Sequence, residues 1–167
     1  AIGLMVVAVA KALGASPVVL AGTNRDRNRL QTGLKLGADA VVNVEERDAV
    51  AEVLRLTRGR GAHYVFECSG ARDAINVAAC MTSRGGRICA VAFAREPVLV
   101  DVARLVSNNI YLFGIRGEGR SATRRAAALM AQQRFPAKLL HTHTFPFAEV
   151  PAAIRCAAER VEGAIKV

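Results

Sequence analysis

Two kinds of apolar stretch alternate along the chain. Gly3 to Leu13 is hydrophobic all round, the pattern of a helix buried against a sheet. Pro17 to Thr23 is a short continuous apolar run, the form of an interior parallel strand. A helix is predicted next, with Leu30, Gly33 and Leu34 on one face and Gly37 as its stop. Ala40 to Asn43 reads as a strand, and Asp48 to Thr57 as a helix with Val50, Val53, Leu54 and Thr57 on one side. The alternation then repeats. His63 to Cys68 is a strand, Ala71 to Thr82 a helix facing inward through Ile75, Ala78 and Ala79. Gly85 and Gly86 turn the chain into a strand from Arg87 to Phe93, and Asn109 to Ile115 is another. Helices follow over Ser121 to Gln132, inward through Ala126, Leu129 and Met130, and from Pro151, inward through Val150, Ile154 and Ala157. Ala164 to Val167 is strand-like. Strand–helix alternation at this spacing predicts an α/β fold, a doubly wound parallel sheet covered on both faces.

Length and composition narrow the picture. The 167 residues form one expected domain over 1–167, and 52% hydrophobic with 22% charged residues excludes a disordered chain. The longest apolar run, Ala1 to Ala10, is about half a membrane span, so no membrane is expected as partner. No basic segment precedes it, which argues against a secretory signal. The chain opens in apolar sequence without Met, and is expected to be a piece of something longer. Its net charge of +9 calls for an anionic partner or serves as a solubilising surface. Nucleic acid is disfavoured, because aromatics are 5%, Trp is absent and the arginines are scattered. Cys68, Cys80, Cys89 and Cys156 show no C-x-x-C spacing, so free thiols in a reducing, cytoplasmic compartment are expected.

Parallel sheets bind ligands at the carboxyl ends of their strands. Gly3 stands at a helix start, where the third glycine of a G-x-G-x-x-G turn would allow close packing beside a pyrophosphate. The end of the first predicted strand reads Thr23-Asn24-Arg25-Asp26-Arg27-Asn28-Arg29. Dinucleotide folds place a carboxylate here to accept hydrogen bonds from the adenosine ribose. Asn24 holds that position, with Arg25 and Arg29 beside it. An amide flanked by guanidinium groups suits a 2′-phosphate, so NADP is expected, with NAD as the alternative cofactor. The competing reading is a solvated helix face carrying ordinary surface arginines.

Several motifs in order carry a family resemblance. They are Ile2-Gly3-Leu4-Met5, Lys11 to Ala15, Arg29-Leu30 with Leu36 to Asp39, Gly59 to Ala62 before Val65 to Gly70, and Gly85-Gly86-Arg87. Gly114-Ile115-Arg116, Thr142-His143 before Phe145-Pro146, and the closing Ile165-Lys166-Val167 complete the set. Together they resemble the cofactor-binding, Rossmann-type domain of zinc-type medium-chain dehydrogenases, nearest the polyol (sorbitol-like) and threonine dehydrogenase branch. The resemblance implies hydride transfer between a secondary alcohol and nicotinamide, with zinc polarising the alcohol. It implies a pyrophosphate at Gly3, an adenosine ribose at Asn24, Arg25 and Arg29, and a strand end beside the cofactor at Cys68, Ser69 and Gly70. It further implies nicotinamide contacts at Val91, Ala92, Phe93, Ile115 and Arg116. Homo-oligomers through Val98 to Val100 or Asn109 to Gly114 are expected from the same branch.

The sequence departs from that family in three respects. The zinc ligands of the family lie in a separate catalytic domain, an expected partner of this chain, so neither catalytic nor metal-binding residues are expected here; His141 and His143 make a poor pair without a third ligand. The first strand of the 3-2-1-4-5-6 order, central in the sheet, is expected to be missing. Asn24 replaces the carboxylate that favours NAD. A fragment of a two-domain alcohol or polyol dehydrogenase, inactive alone, is the resulting expectation; the alternative is a non-catalytic dinucleotide-sensing regulatory or interaction domain.

Overall fold

The structure, a computed structural model, describes residues 1–117 and 119–167. In chain order its helices and strands are α1 (Ile2–Ala12), β1 (Val19–Gly22), α2 (Arg27–Lys35), β2 (Ala40–Asn43), α3 (Ala49–Leu56) and β3 (Ala62–Glu67). They continue with α4 (Ala74–Met81), β4 (Thr82–Ala90), α5 (Val102–Ser107), β5 (Tyr111–Gly114), α6 (Arg120–Ala131) and α7 (Val150–Glu159). The chain divides into two units. One comprises Ala1–Glu45 with Arg124–Val167, the other Glu46–Thr123.

In the first unit β1 and β2 pair in parallel, Val19 beside Ala40 and Gly22 beside Asn43. Leu4, Val7 and Ala8 of α1 recur at helical spacing and are buried with Leu36, Ala38 and Leu140. Helix α1 is therefore buried along one stripe and not all round: Ile2 and Met5 point away and are exposed. Helix α2 ends at Gly37, whose φ of +100° belongs to the left-handed region, and Ala38 N–H donates to the Gly33 carbonyl across that turn. Of its expected face, Leu30 and Gly33 are buried but Leu34 is exposed. Asp39 ties the layers together, accepting from the Val18 N–H at 2.6 Å and from Lys11 Nζ at 2.9 Å.

The later elements of this unit differ from their predicted faces. Met130 and Ala126 of α6 are exposed and Leu129 only half-buried. In α7, Ile154, Val150 and Ala157 face solvent, while the smaller Cys156 is buried and Ala152 and Ala153 are half-buried. The closing residues form no strand. A single parallel bridge joins His141 and Lys166, supported by Thr142 N–H and Oγ1 donating to the Lys166 carbonyl.

In the second unit β3, β4 and β5 form a parallel sheet with β4 in the middle. Ile88 is fully buried there, packed with Ala78, Ala79 and Ile110 and flanked by Val65, Ile75 and Leu105. Asp48 caps α3, accepting from the Val50 N–H at 2.8 Å, and Asp101 caps α5 through the Arg104 N–H. Strand β4 starts at Thr82, five residues earlier than the predicted Arg87. The expected Gly85–Gly86 turn lies inside it: Ala62 faces Thr82, yet Tyr64 faces Arg87. Alternate residues Tyr64, Phe66, Tyr111 and Phe113 carry exposed rings, and the Arg87 guanidinium lies over Tyr64 and Tyr111 at 5.7 and 5.4 Å. Among the described residues, β1 pairs only with β2, β3 only with β4, and no helix is long and apolar enough to cross a membrane.

Candidate functional site

The carboxyl end of β1 runs into a single 3₁₀ turn, Asn24–Asp26, that delivers α2. Thr23 and Asp26 cap each other: the Thr23 N–H and hydroxyl both donate to Asp26 Oδ2, at 3.2 and 3.0 Å. Asn24 is fixed from three sides. Its Oδ1 accepts from Asn43 Nδ2 at 2.7 Å and from Arg27 Nη2 at 3.0 Å, and its N–H donates to Glu45 at 2.8 Å. The Gly22–Asn43 register sets this up, because it brings the two strand ends side by side.

Beside this turn lies a cavity of ≈ 190 Å³, lined by Asn24, Arg25, Arg27, Asn28, Arg29, Arg160, Gly163 and Ala164. Four of these residues are arginines and none is acidic. Asn24, Arg25 and Arg29, predicted together, therefore meet at one site. Arg29 differs from the expectation in its engagement, since Nη1 pairs with Asp26 Oδ1 at 3.3 Å and Nη2 donates to the Ala164 carbonyl at 2.9 Å. Arg160 reaches the same Asp26 oxygen at 2.9 Å. Nothing in the sequence pairs Arg160 with this turn, because its position depends on how the chain folds back.

Partial burial opposes ionisation of Asp26, but the Thr23 hydrogen bonds, Arg160 and Arg29 outweigh it and hold its pKa below the ordinary aspartate value. A depressed folded-state pKa contributes stability that is present above the unfolded value of about 3.9 and disappears as pH falls through the folded value. Asp26→Asn is accordingly expected to flatten the acid limb of the stability curve; urea midpoints between pH 7 and pH 3 would show it, and parallel curves would contradict it.

Gly3 is the second residue of α1, whose amino end carries no side-chain cap.

In the second unit the carboxyl ends of β3, β4 and β5 gather the other eight predicted residues. Glu67 is buried and closes the turn after β3, its Oε1 accepting from Ser69 N–H and Oγ at 2.6 Å and from Gly70 N–H at 3.0 Å. Its carbonyl accepts from Val91 and Ala92 N–H, at 2.8 and 3.2 Å. Gly70 passes against the Phe93 carbonyl, Ile115 N–H donates to the Ala90 carbonyl at 3.1 Å, and the Arg116 guanidinium lies 5.8 Å from the Phe93 ring. Burial, then the Glu67 charge, push the Cys68 thiol up to about 11, which keeps it protonated and a poor nucleophile at neutral pH. All four cysteines are free thiols. His141 and His143 bond to Thr144 and Thr142, and among the described residues no three His, Cys, Asp or Glu side chains come together to hold a metal.

Parallel strands alternating with helices in both units, with a basic cavity at the carboxyl end of β1, define a Rossmann-type α/β chain of the dinucleotide-binding class. The family model described as zinc-binding dehydrogenase matches residues 1–132. The chain belongs to that family, and with it goes a nicotinamide dinucleotide, NAD or NADP, as cofactor. L-threonine 3-dehydrogenase of Bacillus licheniformis is 35% identical over 150 residues, covering 89% of this chain and 43% of that protein. Sorbitol dehydrogenase of Halalkalibacterium halodurans is 30% identical over 149 residues, covering 89% of this chain and 43% of that protein. Among solved structures, an alcohol dehydrogenase of Thermotoga maritima superimposes with a TM-score of 0.83 at 28% identity, covering 94% of this chain and 44% of that one. The alcohol dehydrogenase TADH of Thermus sp. ATN1 shares the fold with a TM-score of 0.88 at 24% identity, covering 98% of this chain and 46% of its own. The chain spans about half the length of these relatives.

Proposed function

We propose that residues 1–167 act as one NADP(H)-binding domain of a two-domain alcohol or polyol dehydrogenase. When bound, the dinucleotide supplies the nicotinamide carbon that accepts or gives the hydride of a secondary alcohol. The amino end of α1 at Gly3, with its unpartnered N–H groups, suits the pyrophosphate. The loops at Cys68–Gly70, Val91–Phe93 and Ile115–Arg116 would hold the nicotinamide side, with Arg116 stacked on Phe93. Among the described residues no group of three His, Cys, Asp or Glu side chains is placed to hold zinc. The free thiols fit the cytoplasm, and the exposed edge strand β5 would serve self-association.

The observation that carries the choice of NADP over NAD is the lining of the β1-end cavity, four arginines and no acidic residue, although Asp26 pairs with Arg29 and Arg160. A ribose diol needs an acceptor there, whereas a 2′-phosphate needs donors and positive charge. Asn24 is held by its neighbours and adds no charge to repel it. Arg25 is exposed at the mouth. Arg25→Ala is expected to weaken NADPH binding about tenfold and leave NADH nearly unchanged. Titration of both reduced cofactors by fluorescence tests this; tighter NADH binding, with NADPH affinity untouched by the substitution, would reject it.

A further inference from the structure

We infer that Arg160, from the turn after α7, is a specificity-determining residue that grips the 2′-phosphate together with Arg25, and that Asp26 is its positioning residue. The inference rests on the NADP reading above and extends it to a segment more than 130 residues away in sequence.

Arg160 ends α7 in the left-handed conformation, with φ of 57°. This conformation turns the chain from the helix into Val161–Gly163, and the Gly163 and Ala164 backbone then forms the cavity wall opposite α2. The fit is close: a Cβ on Gly163 would collide with the Asn28 side-chain amide. Arg29 fastens the wall from the other side through the Ala164 carbonyl. The C-terminal turn is thus built against the β1 loop by a backbone contact and a side-chain bond.

Asp26 Oδ1 receives both Arg29 and Arg160, at 3.3 and 2.9 Å. The two arginines differ in what they have left. Arg29 uses both terminal nitrogens inside the protein, whereas Arg160 gives Asp26 one, and a guanidinium carries five N–H donors. The other edge of Arg160 can therefore take a second anion while the first holds its plane. The Arg160 side chain is 45% exposed, so a ligand can reach it. Charge points the same way. Asp26 offsets part of the charge of Arg29 and Arg160, and the exposed Arg25 adds positive charge at the mouth that suits a phosphate monoester of charge about −1.5 to −2. A free 2′-hydroxyl offers no such charge, so NADH gains nothing from this edge.

The test is a set of dissociation constants on the full protein, for NADPH, NADH, 2′,5′-ADP and 5′-AMP, with wild type, Arg25→Ala, Arg160→Ala, Arg160→Lys and Asp26→Asn. Arg160→Ala is expected to weaken NADPH and 2′,5′-ADP by about tenfold and change NADH and 5′-AMP by less than about twofold. Arg160→Lys, which keeps the charge and loses the fork, should recover part of the loss. Asp26→Asn should lower NADPH affinity less than Arg160→Ala does, because it frees the guanidinium without removing it. Equal losses for NADPH and NADH in Arg160→Ala would mean a purely structural role and overturn the inference. If Arg25→Ala weakens NADPH and Arg160→Ala does not, the inference falls while the NADP reading stands. If wild type binds 2′,5′-ADP no better than 5′-AMP, the NADP reading itself fails and takes the inference with it.

Discussion

Ile88→Ala is expected to lower stability by about 2–5 kcal/mol, the range for removing a large aliphatic side chain from a packed interior. Ile88 is fully buried on β4, the one strand of its sheet paired on both sides, and it touches a helix face made of Ala78 and Ala79. The substitution removes three carbons from a site also walled by Ile110, Val65, Ile75 and Leu105, and the size of the loss depends on how far those side chains close the cavity. Leu99→Ala is the comparison, since Leu99 is 87% exposed and should change stability by less than about 0.5 kcal/mol. Urea unfolding of both variants measures the difference; similar midpoints would show that the β4 core carries little of the stability.

Gly70→Ala is the second large effect. Its φ of +69° is left-handed, and a Cβ would sit 2.7 Å from the Phe93 carbonyl oxygen, a backbone atom that cannot rotate away. The conformational strain alone costs about 1–3 kcal/mol, and relieving the overlap must separate the loops after β3 and β4. Dinucleotide binding should therefore weaken along with thermal stability, because the Val91 and Ala92 bonds to the Glu67 carbonyl cross that junction, and the Glu67 carboxylate shapes the turn at Ser69 and Gly70 beside it. Scanning calorimetry with and without NADPH reads both effects. An unchanged melting temperature and unchanged ligand shift would mean the junction yields.

The strands and helices were legible because alternation is a local signal. Short runs such as Ala40–Asn43 matched their observed bounds, and Asp48 and Gly37 marked helix ends through chemistry confined to one turn. The faces of α6 and α7 were not legible, since which side of a helix is buried depends on partners distant in sequence. The site divides the same way. Asn24 and Arg25 follow from position at a strand end, and Cys68 to Gly70 from a turn after another. Glu67 was readable only as a polar residue on a strand, although its buried carboxylate organises the whole turn. Arg160 carried no signal at all, because a guanidinium 134 residues from its carboxylate is placed by the fold.

The displaced register of β4 has a consequence for alignment. Two steps along β3, from Ala62 to Tyr64, span five along β4, from Thr82 to Arg87, so three surplus residues bow out around Gly85 and Gly86. Thr82, Ser83 and Gly86 of this bow are buried and the Gly85 N–H donates to the Asn108 carbonyl, so the surplus is anchored. An anchored bow fixes where the next rungs begin, and with them the alignment of the residues leading to Val91, Ala92 and Phe93.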